Sequence, residues 1–530
     1  MSGIFSSFNT ANKGLLANQT GLHTASHNIA NANTRGYTRQ RVEFKADIAY
    51  SLGGVGQLGT GVKMDSIRRV VDDYITRQIR EETGTLERYK AKSAVIDQLE
   101  VIFNEPSDTG LNFYLSEMFD SWQELSVNPE SLNSKTIVAR KSEALAETIN
   151  HMTNQIINLK NETVDQLEKN ALDFNSIVDK LKALNQQILN IAVSGQIPND
   201  LLDQRDLMLQ DLSEIANFHA SFDEYGRATV TIDEVEILAG DEITELSLVK
   251  GIEENEDGTF NLVISRRGDS LKDPVYIRNL TEEQIADYKE GTIIFNPKDK
   301  NVELTIDNIR PSTNHIRSGT IQGNQEALED IEESLDSLGR FARTMAKAIN
   351  TIHTANNGPG EVDGVTYYNI FTIEEKNGVS YIRLSDEIQA DESRIWVGKY
   401  PDSPVGDGSR ALAIARLRNS KLLITDDDID LSYDPDTMSL EDKLGGITIE
   451  GAYGNIVVTI GISKEHSDNE IANQEVLVGQ LDFKREASSG VSINEEMTNV
   501  IKFQKAYEAN ARVIQALTEM LDVLIHRTGV

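Results

Sequence analysis

The sequence predicts a multidomain α + β fold: an elongated helical body with N- and C-terminal coiled-coil helices and inserted antiparallel β domains. Apolar residues recur with alternating spacings of four and three at both ends and in the middle of the chain, which indicates coiled-coil helices. Two stretches, about 218–315 and about 360–465, instead alternate apolar and polar residues between Gly, Asn and Asp turns, as antiparallel strands do. Because 530 residues exceed what one core organises, several domains are expected.

The first element, residues 1–35, is predicted to be a coiled-coil helix that pairs with residues 491–530. Seven of its eight positions at the 4-3 spacing are apolar, and these positions are Ile4, Phe8, Ala11, Leu15, Asn18, Leu22, Ala25 and Ile29. The pattern stops in NIANANTRGY, where Asn and Gly favour turns. Residues 1–42 contain no Asp or Glu although the chain has a formal charge of −34, which suggests a segment that packs at high density, where like charge is costly.

Residues 36–217 are predicted to form a helical, rod-like body with a short β-hairpin, and residues 218–315 an inserted β domain. The 4-3 spacing of the body runs through Val164, Leu167, Ala171, Phe174, Val178, Leu181, Asn185, Ile188 and Ala192. Asn185 interrupts this apolar seam, as Asn18 and Gln504 interrupt those of the terminal helices, and all three are expected to set the register. The alternative is ordinary surface exposure where a seam loosens. In the β domain, the stretches ATVTID, TFNLVISRR, GTIIFN and VELTID have the composition of strands.

The second half of the chain is predicted to contain a helix, then strands, then helices again. Residues 316–357 form a long helix that ends before the stop signal Gly358-Pro359-Gly360. Residues 358–468 form a second β-rich domain, because YYNIFTIE, SYIRLS, GGITIEG and NIVVTIGI have strand composition. Residues 469–530 form a return helix and the C-terminal coiled-coil helix, whose start is marked by a capping box at Ser492 and Glu495.

The composition excludes several classes of function. With 51 Lys and Arg against 85 Asp and Glu, the surface repels phosphate backbones and anionic lipid, so neither nucleic acid nor a membrane is an expected partner. Cysteine is absent, which excludes disulfides, thiolate metal sites and cysteine nucleophiles. No apolar stretch approaches the roughly 18 residues of a transmembrane helix, and the N-terminus lacks the pattern of a cleaved signal peptide.

Three motifs that can carry chemistry are each better explained without it. GVGQLG at 54–59 matches G-x-G-x-x-G, but a strand-like segment follows where a dinucleotide site needs a helix, so a glycine-rich hairpin is predicted. His23 and His27 have a metal-binding spacing but no carboxylate within their turn. The acidic run at 426–430 lacks the Gly and Glu that a calcium loop needs at its sixth and twelfth positions. No catalytic, cofactor-binding or metal-binding residue is therefore predicted, and the chain is not expected to be an enzyme.

The two terminal helices have apolar stripes that neither can bury alone. Isolated helices are marginal in water, and two such helices that pair still expose apolar surface to neighbours. We therefore predict ends that are mobile in the monomer and fold when they pack into a polymer or onto a partner. The alternative is that both helices dock on the helical body of their own chain.

Motifs at both ends of the chain resemble those of one family. SHNIANANTRGY at 26–37 resembles the N-terminal motif of bacterial flagellar rod, hook and hook-associated proteins. SGV at 489–491, EEM at 495–497 and FQKAYEANARVI at 503–514 resemble the matching C-terminal motif. GYTRQ, which follows the first motif, and the internal stretch NDLLDQRD at 199–206 resemble the hook-associated branch found where the hook meets the filament.

The resemblance implies a non-enzymatic structural adaptor of the flagellum. Such proteins leave the cell unfolded through the flagellar type III apparatus, for which an export chaperone is expected, and assemble as a ring at the distal end of the hook. The implied partners are copies of the same chain, the hook protein and a second hook-associated junction protein, and the implied location is the secreted hook–filament junction. Two alternatives stay open: another axial subunit of the hook or distal rod, or a secreted adhesive protein that acts through its β domains.

The resemblance also implies structural roles for particular side chains. The expected assembly interface consists of Ile4, Phe8, Leu15, Leu22, Ile29, Met497, Val500, Tyr507, Ile514, Leu521 and Ile525. The turn that leaves the first helix is expected to be shaped by Asn28, Asn31, Asn33, Gly36 and Tyr37. Gly36 is expected to adopt a positive φ, which glycine tolerates without a steric penalty.

Overall fold

A computed structural model of the chain describes residues 2–52, 56–103, 110–265, 273–299, 302–400, 402–424 and 431–526. The predicted fold class is confirmed, because the chain begins and ends with long helices and has further long helices and several small antiparallel sheets between them in sequence. The acidic run at 426–430 lies outside the described residues.

The first part of the chain consists of long helices and one extended β-ribbon. Its helices are α1 (Ser2–Ala30), α2 (Asp73–Phe103), α3 (Leu111–Val127), α4 (Leu132–Ala192) and α5 (Asn199–Ile215). The strands of the ribbon are β1 (Gln40–Ala46), β2 (Tyr50–Leu52), β3 (Gly56–Leu58) and β4 (Val62–Arg69). β1 pairs with β4 and β2 with β3, both antiparallel. The glycine-rich motif therefore belongs to a hairpin, as predicted, although residues 53–55 at its turn lie outside the described part.

The predicted β domain at 218–315 contains two antiparallel sheets. Their elements are β5 (His219–Phe222), β6 (Ala228–Ile232), β7 (Val235–Ala239), β8 (Glu242–Ile243), β9 (Leu246–Glu254), β10 (Phe260–Ile264), β11 (Val275–Leu280), the short helix α6 (Glu282–Ile285), β12 (Ile293–Phe295) and β13 (Arg310–Pro311). One sheet has the order β5-β6-β7-β8 and the other β11-β10-β9-β12-β13. Val249, Leu262, Ile264 and Ile294 are fully buried in the core of the second sheet.

The remaining elements alternate long helices with short hairpins. They are α7 (Gly319–His353), β14 (Gly360–Val362), β15 (Val365–Tyr367), β16 (Phe371–Lys376), β17 (Val379–Leu384), α8 (Asp386–Ala390), α9 (Ser409–Arg416), β18 (Tyr433–Asp434), β19 (Ser439–Leu440), α10 (Ile449–Ser489) and α11 (Ile493–His526). Each of the three strand pairs, β14–β15, β16–β17 and β18–β19, is an isolated two-stranded ribbon.

The prediction of strands in GGITIEG and NIVVTIGI is wrong. Residues from Ile449 onward form α10, and the buried side chains on its first turns are Ile449, Ala452, Tyr453, Ile456 and Ile460. Their spacing of three and four places them on one helical face, which packs into a core. Tertiary burial of that face outweighs the preference of Ile, Val and Thr for strands, because this preference is small for each residue.

Residues 358–468 are not a separate β-rich domain. Phe371, Ile382 and Tyr453 belong to the same hydrophobic cluster as Trp122 of α3 and Phe341 of α7. The ribbons have too few strands to build a core of their own, since a two-stranded hairpin is marginally stable by itself. They therefore complete a core that helices from both halves of the chain supply.

The chain divides into two compact units, and both are discontinuous in sequence. One contains residues 1–87, 170–321 and 472–530, and the other contains residues 88–169 and 322–471. Helices α2, α4, α7 and α10 contribute residues to both units.

Asparagine side chains on α4 attach the sheets to this helix, and Asn185 is one of them. The Asn185 amide donates to Ala228 O at 2.8 Å and accepts from Ala228 N at 2.9 Å. Asn175 makes the same pair of bonds with Leu246, both at 2.8 Å. The expectation that Asn185 sets a coiled-coil register is therefore wrong. Its amide acts as one more backbone partner for β6, because it satisfies a buried N–H and a buried C=O together.

A buried histidine makes the unit formed by residues 88–169 and 322–471 sensitive to acid. His353 Nδ1 lies 2.7 Å from Tyr368 O, its Nε2 accepts from Trp396 N at 2.8 Å, and its ring meets the edge of Trp122. Burial lowers the pKa of His353 from 6.5 to about 3. The neutral ring is required here, because the bond from Trp396 uses the lone pair that protonation removes.

We expect the free energy of unfolding to fall as the pH drops from about 6.5 toward about 3. Over this range the unfolded chain binds a proton that the folded chain excludes, which costs up to about 1.4 kcal/mol per pH unit. Urea unfolding at pH 7.5 and pH 5.0 measures the loss, with His353→Gln compared against the exposed control His151→Gln. If the His353→Gln variant loses as much stability between these pH values as the parent does, other groups are responsible.

Candidate assembly surface at the terminal helices

Helices α1 and α11 pack against each other in antiparallel fashion. Gly14 lies against Asn510, Gly21 against Phe503, and Asn28 donates to Glu496. Each pair is seven residues further along α1 and seven residues further back along α11. The contact therefore follows a heptad repeat, as antiparallel coiled coils do.

The centre of the contact on α1 is a stripe of small residues. A Cβ atom added to Gly14 would lie 2.7 Å from Asn510 Oδ1, and one added to Gly21 would lie 2.8 Å from the Phe503 ring. Ala11, Ala17 and Ala25 are at most 5% exposed along the same stripe. The two backbones therefore approach closely, because no large side chain of α1 separates them. Sequence reasoning missed this stripe, although the seven-residue spacing of Gly14, Gly21 and Asn28 could have indicated it.

The predicted interface residues flank this contact and do not fill it. Eight of them are partly buried: Ile4, Phe8, Leu15, Leu22, Ile29, Val500, Ile514 and Leu521. Met497, Tyr507 and Ile525 are exposed, with relative accessibilities of 48%, 37% and 64%. Packing of the helix pair thus leaves much of this apolar set accessible.

Helix α11 carries apolar side chains outside the face that contacts α1. Besides the face toward α1, the exposed residues include Ile493, Ile501, Val513, Met520 and Val523, each at least 44% accessible. Several large apolar side chains exposed on one helix indicate an interaction site.

The turn after α1 is organised by the Asn28 side chain, which is 1% exposed. Its Nδ2 donates to Gln40 O at 2.9 Å and to Glu496 Oε2 at 3.1 Å. Its Oδ1 accepts from the Tyr37 hydroxyl at 2.7 Å and from Gln40 N at 3.0 Å. All four hydrogen-bonding positions of the amide are therefore used. Asn28 joins the end of α1, the start of β1 and the start of α11.

The other turn residues close the end of the helix. Asn31 Nδ2 donates to His27 O at 3.1 Å, and Asn33 is exposed at the tip. Gly36 has φ = +79°, which confirms the prediction, and it lies against Leu207. The turn is therefore compact, and its glycine reverses the chain beside α5.

The internal stretch at 199–206 contributes carboxylates to the same place. Arg69 Nη1 lies 2.8 Å from both Asp203 and Asp206, and Arg205 binds Asp206 at 2.6 Å. Burial works against the charge of Asp206, but Arg205 and Arg69 outweigh it and hold its pKa below the usual range. At Asp203 burial dominates and raises the pKa. Burial, with the nearby Asp203 carboxylate, also raises the pKa of Tyr37.

Arg39 links the polar side chains around Asn28 and Asp203 to the C-terminal helix α11. Its Nε lies 2.9 Å from Glu496 Oε1, and its Nη1 lies 3.0 Å from Glu495 Oε2. Arg39 N also donates to Ser489 O at 3.1 Å. The N-terminal motif, the internal stretch at 199–206 and the C-terminal motif therefore meet at one polar junction at the base of the helix pair.

The described residues were also compared with the requirements of a metal site and of a membrane span. Within the described ranges, no group of three or more His, Asp or Glu side chains is placed to hold a metal ion, and His27 instead lies against Asn31 and Tyr37. In the same part of the chain, no helix is long and apolar enough to cross a membrane.

Comparison with known proteins gives two matching family models. Residues 96–279 match the helical domain of the flagellar hook-associated protein FlgK, and residues 486–526 match the C-terminal domain of the flagellar basal body rod proteins FlgE, FlgF and FlgG. Flagellar hook-associated protein 1 of Bacillus subtilis is 28% identical over 557 aligned residues, which cover 100% of this chain and 99% of that protein. Over its whole length, the chain is similar to flagellar hook-associated protein 1.

Further proteins are similar to this chain over most of its length. The Escherichia coli protein of that name is 24% identical, over 98% of this chain and 99% of its own length. The solved structure of the flagellar hook junction protein FlgK from Burkholderia pseudomallei has a TM-score of 0.52 at 14% identity, covering 78% of this chain and 100% of that one. This structural likeness shows that the two chains have a similar fold. Hook-associated proteins of this family are structural components of the flagellum.

Proposed function

We propose that this chain is the adaptor that joins the hook to the filament of the bacterial flagellum. The supporting observation is similarity over the whole chain to flagellar hook-associated protein 1, together with a terminal helix pair that leaves apolar surface uncovered. Assembly proceeds when this surface packs against neighbouring subunits. The partners are copies of this chain, the hook protein and a second hook-associated junction protein.

The charge of the terminal helices supports close packing between copies. α1 and α11 together carry four Lys and Arg against five Asp and Glu, whereas the whole chain carries 51 against 85. Nearly all of the net negative charge therefore lies outside the helix pair. Copies can bring these helices together without the repulsion that the rest of the surface would cause.

Export is part of the same proposal. The chain leaves the cell unfolded through the flagellar type III apparatus and folds after export. An export chaperone covers the amphipathic segment from Ile514 to Ile525 before export, because exposed apolar helices are prone to aggregate. A hook or rod subunit is the less favoured alternative, since the match at 96–279 is to the helical domain of the hook-associated protein.

Cells without this gene are expected to build complete hooks that lack filaments, and to lose flagellin to the medium. Electron microscopy and an immunoblot of the medium measure both effects. Complementation with the full chain should restore filaments, while a chain that ends at residue 491 should not, because it lacks the helix that pairs with α1. Missing hooks would assign the chain to the hook or rod instead, and normal filaments would contradict the proposal.

A further inference from the structure

Apolar packing does not by itself select one register for the terminal helix pair. The contacts of Gly14 with Asn510 and of Gly21 with Phe503 repeat after seven residues. A slide of one heptad would place Gly14 against Phe503, or Gly21 against Asn510, and either is again a glycine against a side chain. Heptad repeats commonly leave such alternative registers open unless a polar residue excludes them.

The third contact of the repeat, Asn28 with Glu496, forms a polar layer, unlike the two glycine contacts. Glu496 is 2% exposed, and it is the one buried acidic residue among the five acids of α11. Its carboxylate accepts from Arg39 Nε at 2.9 Å and from Asn28 Nδ2 at 3.1 Å. Arg39 and Asn28 are themselves held in place, Arg39 through its backbone bond to Ser489 and Asn28 through Gln40 and Tyr37.

A slide of one heptad would break this layer in either direction. Seven residues of helix correspond to about 10 Å, so Glu496 would move out of reach of Asn28. In one direction its carboxylate would face Gly21 of α1, away from both Arg39 and Asn28. In the other direction Phe503 would face the Asn28 amide. Both arrangements separate a buried polar group from its partner, and an unpaired buried charge is strongly unfavourable.

We infer that Glu496, bound by Arg39 and Asn28, is the positioning residue that selects a single register for α1 and α11. The register determines which apolar side chains of the two helices form one continuous outer surface. The consequence for assembly rests on the proposed function, whereas the register itself can be measured on the isolated full-length chain.

Because the chain contains no cysteine, disulfide trapping can report the register directly. The offset of the three observed pairs places Ala506 opposite Asn18. Ala506→Cys is combined in turn with Asn18→Cys, Ala11→Cys or Ala25→Cys, which are seven residues apart on α1. The first combination reports the observed register, and the other two report a slide of one heptad in either direction.

In the parent chain only the 18–506 disulfide is expected to form. Glu496→Leu should bring the 11–506 or the 25–506 disulfide to a yield of the same order as the 18–506 disulfide, while the helical circular dichroism is retained. The matched control is Glu495→Leu, because Glu495 also binds Arg39 but has a side chain that is 63% exposed. This control should leave the pattern of the parent unchanged.

Four results would overturn the inference. The first is a Glu496→Leu variant that still forms only the 18–506 disulfide. The second is the loss of all three disulfides together with helical signal in that variant, since Glu496 would then stabilise the pair without selecting its register. The third is equal slippage in Glu495→Leu, and the fourth is a parent chain that forms none of the three. None of these results depends on whether cells without the gene lose their filaments.

Discussion

Filaments are expected to be lost from cells whose only copy of this protein carries Ile501→Gln and Val513→Gln. Both side chains lie on exposed faces of α11, with relative accessibilities of 54% and 48%. In the assembled junction each substitution would bury a side-chain amide without a partner, at a cost of about 1–3 kcal/mol per copy. Repetition in every copy of the proposed assembly makes the combined effect large.

The same two substitutions are expected to leave the monomer intact. Gln favours helix more than Ile or Val does, and exposed substitutions usually change the free energy of unfolding by less than about 0.5 kcal/mol. Thermal unfolding of the purified chain and electron microscopy of complemented cells measure the two effects separately.

The matched control changes two equally exposed apolar residues in the other compact unit. Tyr400 and Val405 are 59% and 76% accessible, and their replacement by Gln should preserve filaments. Filaments that persist in the Ile501→Gln, Val513→Gln strain would refute the assembly role of the outer faces of α11. A monomer that unfolds at a much lower temperature would show that these side chains belong to its core.

Gly319→Ala is expected to be the most destabilising single substitution considered for this chain. Gly319 precedes the body of α7 with φ = +81°, and a Cβ atom there would overlap the carbonyl group of Ile215 at the end of α5. A left-handed backbone costs alanine about 1–2 kcal/mol, and the overlap adds about 1–3 kcal/mol. Urea unfolding should therefore show a loss of about 2–5 kcal/mol in the free energy of unfolding.

Gly358→Ala separates the two contributions to that loss. Gly358 also has a positive φ, +72°, but no heavy atom lies within 4 Å of the position a Cβ would take. Its replacement should cost about 1–2 kcal/mol, which is the backbone contribution alone. Equal losses for the two variants would show that the close approach of α5 and α7 contributes nothing.

The helices were predictable because their signal is local and repeated. The 4-3 spacing in residues 164–188 corresponds to buried side chains of α4, and the strand composition of residues 218–315 corresponds to two sheets. Residues 449–462 were not predictable in this way, since their Ile, Val and Thr content favours strands. Their helical state follows from the core that Tyr453 and Ile456 enter, which distant parts of the chain build.

Residue type and spacing alone determined the helices with a regular 4-3 apolar repeat, the β segment at 218–315 and the positive φ of Gly36, and the terminal motifs indicated the similarity to flagellar hook-associated proteins. Only the tertiary structure placed Gly14 and Gly21 at the centre of the helix contact, and only it joined Asn28, Arg39 and Glu496 in one buried layer. The physical reason is distance along the chain. Periodicity records which face of a helix is apolar, whereas the partner of that face, 468 residues away for Asn28 and Glu496, is selected by packing and by buried hydrogen bonds that no local pattern encodes.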